Sequence, residues 1–156
     1  SGTHGTNHVE AAARTTVLGA DAKAKLWTSP RSYLLLQAEA LRLDRQDAAY
    51  DSLVGAWERF DAEGWGWYAF ADYNFSPRWN LGASYERYER DDADGVRDQA
   101  FGLFAGLSLL EETTAFRLSW ERYQAGAAAG EPEPDAVHTI CLRMIFSMGP
   151  HKAHQF

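Results

Sequence analysis

The sequence predicts an all-β protein, namely an antiparallel transmembrane β-barrel portion of about seven up-and-down strands with short periplasmic turns and longer external loops. Three observations support this prediction: apolar and polar residues alternate along successive segments, the connections are alternately short and long, and aromatic residues lie near the segment ends. Alternation with a period of two puts one set of side chains on each face of a strand. Alternating connections and two aromatic girdles are typical of outer-membrane barrels.

The composition fits this class of protein and excludes several others. The 156 residues are enough for one domain, and 46% of them are apolar. The formal net charge is -7, from 15 Lys+Arg and 22 Asp+Glu. This balance excludes the positively charged surface that nucleic-acid binding needs. Uninterrupted apolar stretches such as Tyr33 to Leu36 are far too short for a membrane-spanning helix, whereas β-strands cross a membrane with only every second residue apolar.

The chain divides into a Gly-rich start and a strand-forming remainder. We expect residues 1–13 to be a flexible N-terminal segment and residues 14–156 to be a partial outer-membrane β-barrel made of its C-terminal strands. Strands are predicted, in order, over residues 15–27, 32–43, 64–75, 79–88, 99–110, 114–123 and 137–148. An odd number of strands leaves open edges, so upstream strands of the same protein are expected to complete the barrel.

The individual segments differ in how clearly they alternate. Residues 64–75 and 79–88 alternate well and flank Ser76-Pro77-Arg78, which predicts a hairpin. Residues 50–60 carry apolar side chains at helical spacing, and this stripe fits an amphipathic helix in an external loop as well as a continued strand.

The alternation assigns a function to each face under the barrel interpretation. The polar set would line the lumen and provide a charged, water-filled wall for a small solute. Its predicted members are Asp21, Lys23, Lys25, Gln37, Glu39, Asp72, Asn74, Glu86, Arg117, Glu121 and Arg143. The apolar set would contact outer-membrane lipid, with aromatic girdles at both interfaces. The predicted girdle residues are Trp27, Trp67, Phe75, Trp79, Tyr85, Phe116, Trp120 and Phe146.

Several short motifs together resemble one known group of proteins. They are Leu36-Gln37-Ala38-Glu39, Gly66-Trp67-Tyr68, Phe75-Ser76-Pro77-Arg78-Trp79, Tyr85-Glu86-Arg87, Phe116-Arg117-Leu118 and the tail from Ser147 to Phe156. From about Gly19 onward, the chain resembles the C-terminal half of a proteobacterial outer-membrane β-barrel family, porin-like and often labelled TonB-dependent or zinc-regulated receptor-like. The resemblance implies an N-terminal half with further strands and a location in the bacterial outer membrane. The chain departs from the pattern at Ala40, where an aromatic residue is expected.

The C-terminal tail invites two interpretations. Phe156 resembles the terminal aromatic residue that barrel-assembly machinery recognises, which makes that machinery an expected partner. His151 and His154 are weak candidates for metal ligands, because in an extended tail side chains three residues apart point to opposite faces. We therefore predict no metal site and no cofactor.

The sequence contains no pattern of Ser, His and carboxylate residues that predicts a hydrolase, so we expect no enzymatic activity. The expected function is passage or uptake of small solutes through an outer-membrane barrel that is porin-like or receptor-like. Two alternatives remain open at this point. A soluble antiparallel β-barrel binding a small ligand would show the same alternation with its apolar side chains turned inward, and an envelope barrel could have a structural role alone.

Overall fold

A computed structural model of the chain describes residues 2–8, 13–90, 95–110 and 114–146. These residues form one eight-stranded antiparallel sheet in which every strand pairs with its neighbours in sequence. The strands are β1 (Gly2–His8), β2 (Ala13–Ser29), β3 (Ser32–Asp51), β4 (Ala56–Asn74), β5 (Trp79–Glu89), β6 (Arg97–Leu110), β7 (Thr114–Gln124) and β8 (Val137–Phe146). The sheet is open, with β1 and β8 at its edges. The all-β, antiparallel, up-and-down fold predicted from the alternation is confirmed.

The first strand is the main addition to the prediction. Residues 1–13 were expected to be flexible, but Gly2–His8 forms β1 and pairs with the first part of β2, with Gly2 opposite Leu18. Backbone pairing with an exposed strand edge needs no apolar pattern in the added strand, which is why this polar, Gly-rich segment carries no signal in its sequence.

The segment 50–60 forms a hairpin, so the helical interpretation is wrong. β3 and β4 pair without interruption from Tyr33 and Asn74 up to Asp51 and Ala56. The turn between them closes on Asp51, whose carbonyl accepts a 2.8 Å hydrogen bond from the amide of Gly55, a residue with φ of 67°. No helix long and apolar enough to cross a membrane occurs in the described part of the chain.

The two ends of the sheet differ in their connections. At one end, called the turn end, residues 30–31, 75–78 and 111–113 join β2 to β3, β4 to β5 and β6 to β7. At the other, called the loop end, lie the projecting β3–β4 hairpin and the longer connections 90–96 and 125–136. The predicted difference between short and long connections is therefore present, although the long β3–β4 connection consists of extended strands.

Burial alternates along β6, in the middle of the sheet. Asp98, Ala100, Gly102 and Phe104 are buried, whereas Leu103 between them is exposed. We call the face that contains Asp98, Ala100, Gly102 and Phe104 the polar face, and the face that contains Leu103 the apolar face. The sheet therefore covers Phe104 together with the small and polar side chains of β6, while Phe101, Leu103 and Leu109 on the other face are exposed.

Candidate functional site: the polar face

The cross-strand register collects every predicted lumen-lining residue on the polar face. Residues directly opposite each other in an antiparallel pair share a face, so the register can be followed from β2 to β8. It assigns to this face Asp21, Lys23, Lys25, Gln37, Glu39, Asp72, Asn74, Glu86, Arg117, Glu121 and Arg143.

Carboxylates cluster in one row across the middle of this face. Asp21 is opposite Glu39, Glu39 is opposite Tyr68, and Tyr68 is opposite Glu86. We call Asp21, Glu39 and Glu86 the acidic row. The hydroxyl oxygen of Tyr68, which interrupts the row, accepts a 2.6 Å hydrogen bond from the side-chain amide of Gln37. This arrangement concentrates negative charge across strands β2 to β5, which would attract cations locally.

Trp27 lies on the polar face, so its predicted place in the aromatic girdle is wrong. Trp27 follows Lys25 by two residues and therefore shares its face. The Lys25 ammonium group lies 4.4 Å from the centroid of the Trp27 ring and 3.8 Å from that of Tyr33. These contacts hold the cation against two aromatic faces near the turn end.

Three glycines make room for neighbouring side chains on β5 and β6. A Cβ at Gly82 would overlap the ring of Phe104, and one at Gly106 would overlap the side-chain amide of Asn80. Phe104 in turn stacks on Phe70, with 5.3 Å between ring centroids and an 11° angle between the planes. Gly102 provides the same space for Ser84. The glycines therefore let the Phe104 ring, the Asn80 amide and the Ser84 hydroxyl approach the backbone of the sheet closely.

A buried carboxylate organises the loop end of the same face. Asp98 is 1% exposed and accepts hydrogen bonds from Arg90 at 2.9 and 3.1 Å, from the Tyr123 hydroxyl at 2.9 Å and from the Gly126 amide at 2.7 Å. Burial alone would raise the pKa of Asp98, but these hydrogen bonds outweigh it and lower the pKa to about 2. The same cluster raises the pKa of Tyr88, chiefly through its hydrogen bond with Tyr123. Asp98 thus joins the connections 90–96 and 125–136.

Most of the predicted girdle lies on the apolar face. Trp67, Trp79, Tyr85, Phe116, Trp120 and Phe146 all share this face by register. The rings of Trp67 and Tyr85 are in contact, with 5.2 Å between their centroids. Phe75 follows the end of β4 and belongs to the turn, with its ring 6.3 Å from that of Tyr73.

Sequence reasoning missed the aromatic stack and the buried carboxylate. Phe70 and Phe104 are in phase with polar residues on their strands, which places them on the polar face, but the contact between their rings depends on the cross-strand register. Asp98 is in phase with Ala100 and Gly102, but its partners Arg90, Tyr123 and Gly126 come close to it only in the folded sheet.

The predicted tail features, His151, His154 and Phe156, lie outside the described residues. Within the described ranges, no group of three or more His, Cys, Asp or Glu side chains is placed to hold a metal ion.

Comparisons with protein-family models, with curated proteins and with solved structures give no match for this chain. The resemblance to a proteobacterial outer-membrane family therefore stays a prediction.

Proposed function

We propose that this chain forms part of the wall of an outer-membrane β-barrel through which small solutes pass without chemical change. In this proposal the apolar face contacts outer-membrane lipid and the polar face lines a water-filled lumen. The sheet has eight strands and not the odd number expected from the sequence, so the open edges at β1 and β8, rather than the strand count, support the pairing of upstream strands of the same protein with this sheet. Barrel-assembly machinery inserts the chain.

The observation that carries the proposal is the burial pattern of the two faces. Large side chains such as Leu81, Leu118 and Leu142 are exposed on the apolar face, whereas the buried residues of β6 on the other face are small, polar or stacked. A soluble barrel would bury the leucines and expose the charges. An apolar patch of this extent requires a partner, and lipid is the partner that covers a whole face.

The limits of the apolar band support strands that are tilted as in a barrel. Towards the loop end, the first charged residue on the apolar face is Arg122 on β7, Arg87 on β5 and Arg42 on β3. Arg122 is in the row of Tyr85, two residues before Arg87, and Arg87 is in the row of Ala40, two residues before Arg42. With a rise of about 3.3 Å per residue and about 4.8 Å between strands, this offset corresponds to a tilt of about 35°. Transmembrane barrels have strand tilts of about 35–45°.

The test is fractionation of cells expressing the full-length protein, followed by gel mobility of the membrane fraction before and after heating. We expect outer-membrane protein whose mobility shifts on heating, and ion conductance when the protein is added to planar lipid bilayers. A protein that is soluble without detergent, and whose gel mobility does not change on heating, would overturn the proposal and favour a soluble ligand-binding barrel. Heat-shifted membrane protein without conductance would favour a structural envelope barrel.

A further inference from the structure

The Arg117 guanidinium group is held in a fixed orientation on the polar face. Its central carbon lies 3.8 Å from the centroid of the Phe104 ring. Phe104 is 5% exposed, because its ring stacks on Phe70 and covers Gly82. A planar cation stacked on an immobilised ring keeps its N–H donors in one plane and loses little side-chain entropy when it binds.

A second arginine lies directly opposite the first. Arg117 on β7 is the register partner of Arg143 on β8. Directly opposed side chains in a sheet have Cβ atoms about 4.5–5.5 Å apart, and like charges at that distance repel. Within the described ranges, the arginines that form ion pairs are others: Arg42, Arg45, Arg90 and Arg97. This repulsion would be relieved by an anion between the two guanidinium groups.

The two arginines line a polar recess suited to such an anion. The recess has a volume of about 200 Å³ and is also lined by the hydroxyl-bearing Ser84 and Ser119 and by Glu121. At about 30 Å³ per water molecule, it holds an oxyanion together with a few waters. Glu121 lines the same recess, so its lining carries two guanidinium groups against one carboxylate, and this net positive charge favours an anion.

We propose that Arg117 and Arg143 form a binding site for an oxyanion, the phosphate or carboxylate group of a small solute. The planar fork of each guanidinium group matches two oxygens of such a group, and the Ser84 hydroxyl supplies a further donor, whereas the Ser119 hydroxyl donates to the Cys141 carbonyl. The proposal rests on the proposed function for the route by which the solute arrives, and on the recess alone for binding.

The test is isothermal titration of the purified full-length protein in detergent, at constant ionic strength, with inorganic phosphate in one series and acetate in another. Binding of phosphate alone assigns the site to phosphorylated solutes, and binding of acetate assigns it to carboxylates. We expect Arg117→Gln and Arg143→Gln each to weaken binding at least tenfold. The control, Arg87→Gln, removes an arginine from the apolar face and should change affinity less than twofold. Absence of binding of both anions, or unchanged affinity in Arg143→Gln, would overturn the proposal.

Two features keep the test decisive. Arg143 is exposed, and the arginine stacked on Phe104 is Arg117, so Arg143→Gln leaves that ring contact in place even if Arg117→Gln disturbs it. Conductance is measured separately from binding. Phosphate binding without conductance would support the oxyanion site and refute the proposed passage of solutes. Conductance without anion binding would refute only the oxyanion site.

Discussion

Leu103→Arg and Leu41→Arg form a matched pair that tests which face of the sheet contacts lipid. Leu103 is 43% exposed on the apolar face, and Leu41 is 44% exposed on the polar face, opposite Gly19 and Gly66. The two leucines therefore lose nearly equal contact with protein when they are replaced. Leu41 is next to Arg42, at the loop-end limit of the apolar band, so a large difference between the variants reflects both what lies outside each face and the shallower position of Leu41.

The expected cost of Leu103→Arg follows from its depth in the apolar band. Leu103 lies four residues from Gln99, the first polar residue toward the loop end on its face. This is about 13 Å along the strand, or about 11 Å of depth at a 35° tilt, close to the middle of a band about 25 Å tall. Arginine at the bilayer midplane costs about 2–4 kcal/mol, which is roughly a 30-fold to 1,000-fold loss in the folding equilibrium. Leu41→Arg places its charge in water and should cost less than about 1 kcal/mol.

The assay is equilibrium unfolding in urea of the full-length protein inserted into lipid vesicles, followed by heat-modifiable gel mobility. Both variants and the parent are compared under one set of conditions. Equal stability of the two variants would refute the assignment of the faces, since neither face would then contact lipid. A loss of stability in Leu41→Arg alone would show that the polar face, and not the apolar face, contacts lipid.

Three further predictions concern the polar face and its loop end. The carboxylate of Asp98, whose pKa is lowered to about 2 in the folded chain against 3.8 in its unperturbed state, should contribute about 2 kcal/mol above pH 5. That contribution should disappear as the pH falls from about 5 to 2, so thermal unfolding of Asp98→Asn should lack this part of the pH dependence; parallel curves for parent and variant would contradict the assignment. Gly82→Ala should destabilise the protein by about 1–3 kcal/mol because the new methyl group overlaps Phe104. Gly5→Ala, whose Cβ meets nothing within 4 Å, is the control in chemical denaturation, and equal effects would exclude the close contact as the cause. Glu86→Gln should leave assembly intact and shift reversal potentials in bilayers toward anions, whereas unchanged selectivity would remove Glu86 from the solute path.

The alternation of residues predicted the strands and the two faces because side-chain direction in a strand depends only on parity. The exposed Leu103 and the buried Gly102 on β6 follow from that rule alone. The same rule places Trp27 with Lys25, so its assignment to the lipid side was an error of counting along the strand. Aromatic character at a strand end predicts an interfacial position only for residues of the correct parity.

Contacts that depend on cross-strand register could not be predicted. Tyr50 and Trp57 are seven residues apart, which fits two turns of a helix, yet they are opposite each other in a hairpin whose turn is residues 52–55. A spacing of seven is compatible with both geometries, and only the strand extensions on either side distinguish them. The anchoring of Asp98 by Arg90 and Gly126 likewise requires residues that are remote in sequence.

The acidic row has a consequence for ion movement when its strands are tilted. A row perpendicular to strands tilted by 35° is inclined to the membrane plane, and each successive strand shifts its residue by about 3 Å along the membrane normal. Asp21, Glu39 and Glu86 span β2 to β5 and are therefore spread over about 8 Å of depth. The three carboxylates then lie at successive depths along the membrane normal instead of forming a ring at one depth. A cation moving through the lumen would meet them one after another, so it would be bound weakly at several positions instead of strongly at one.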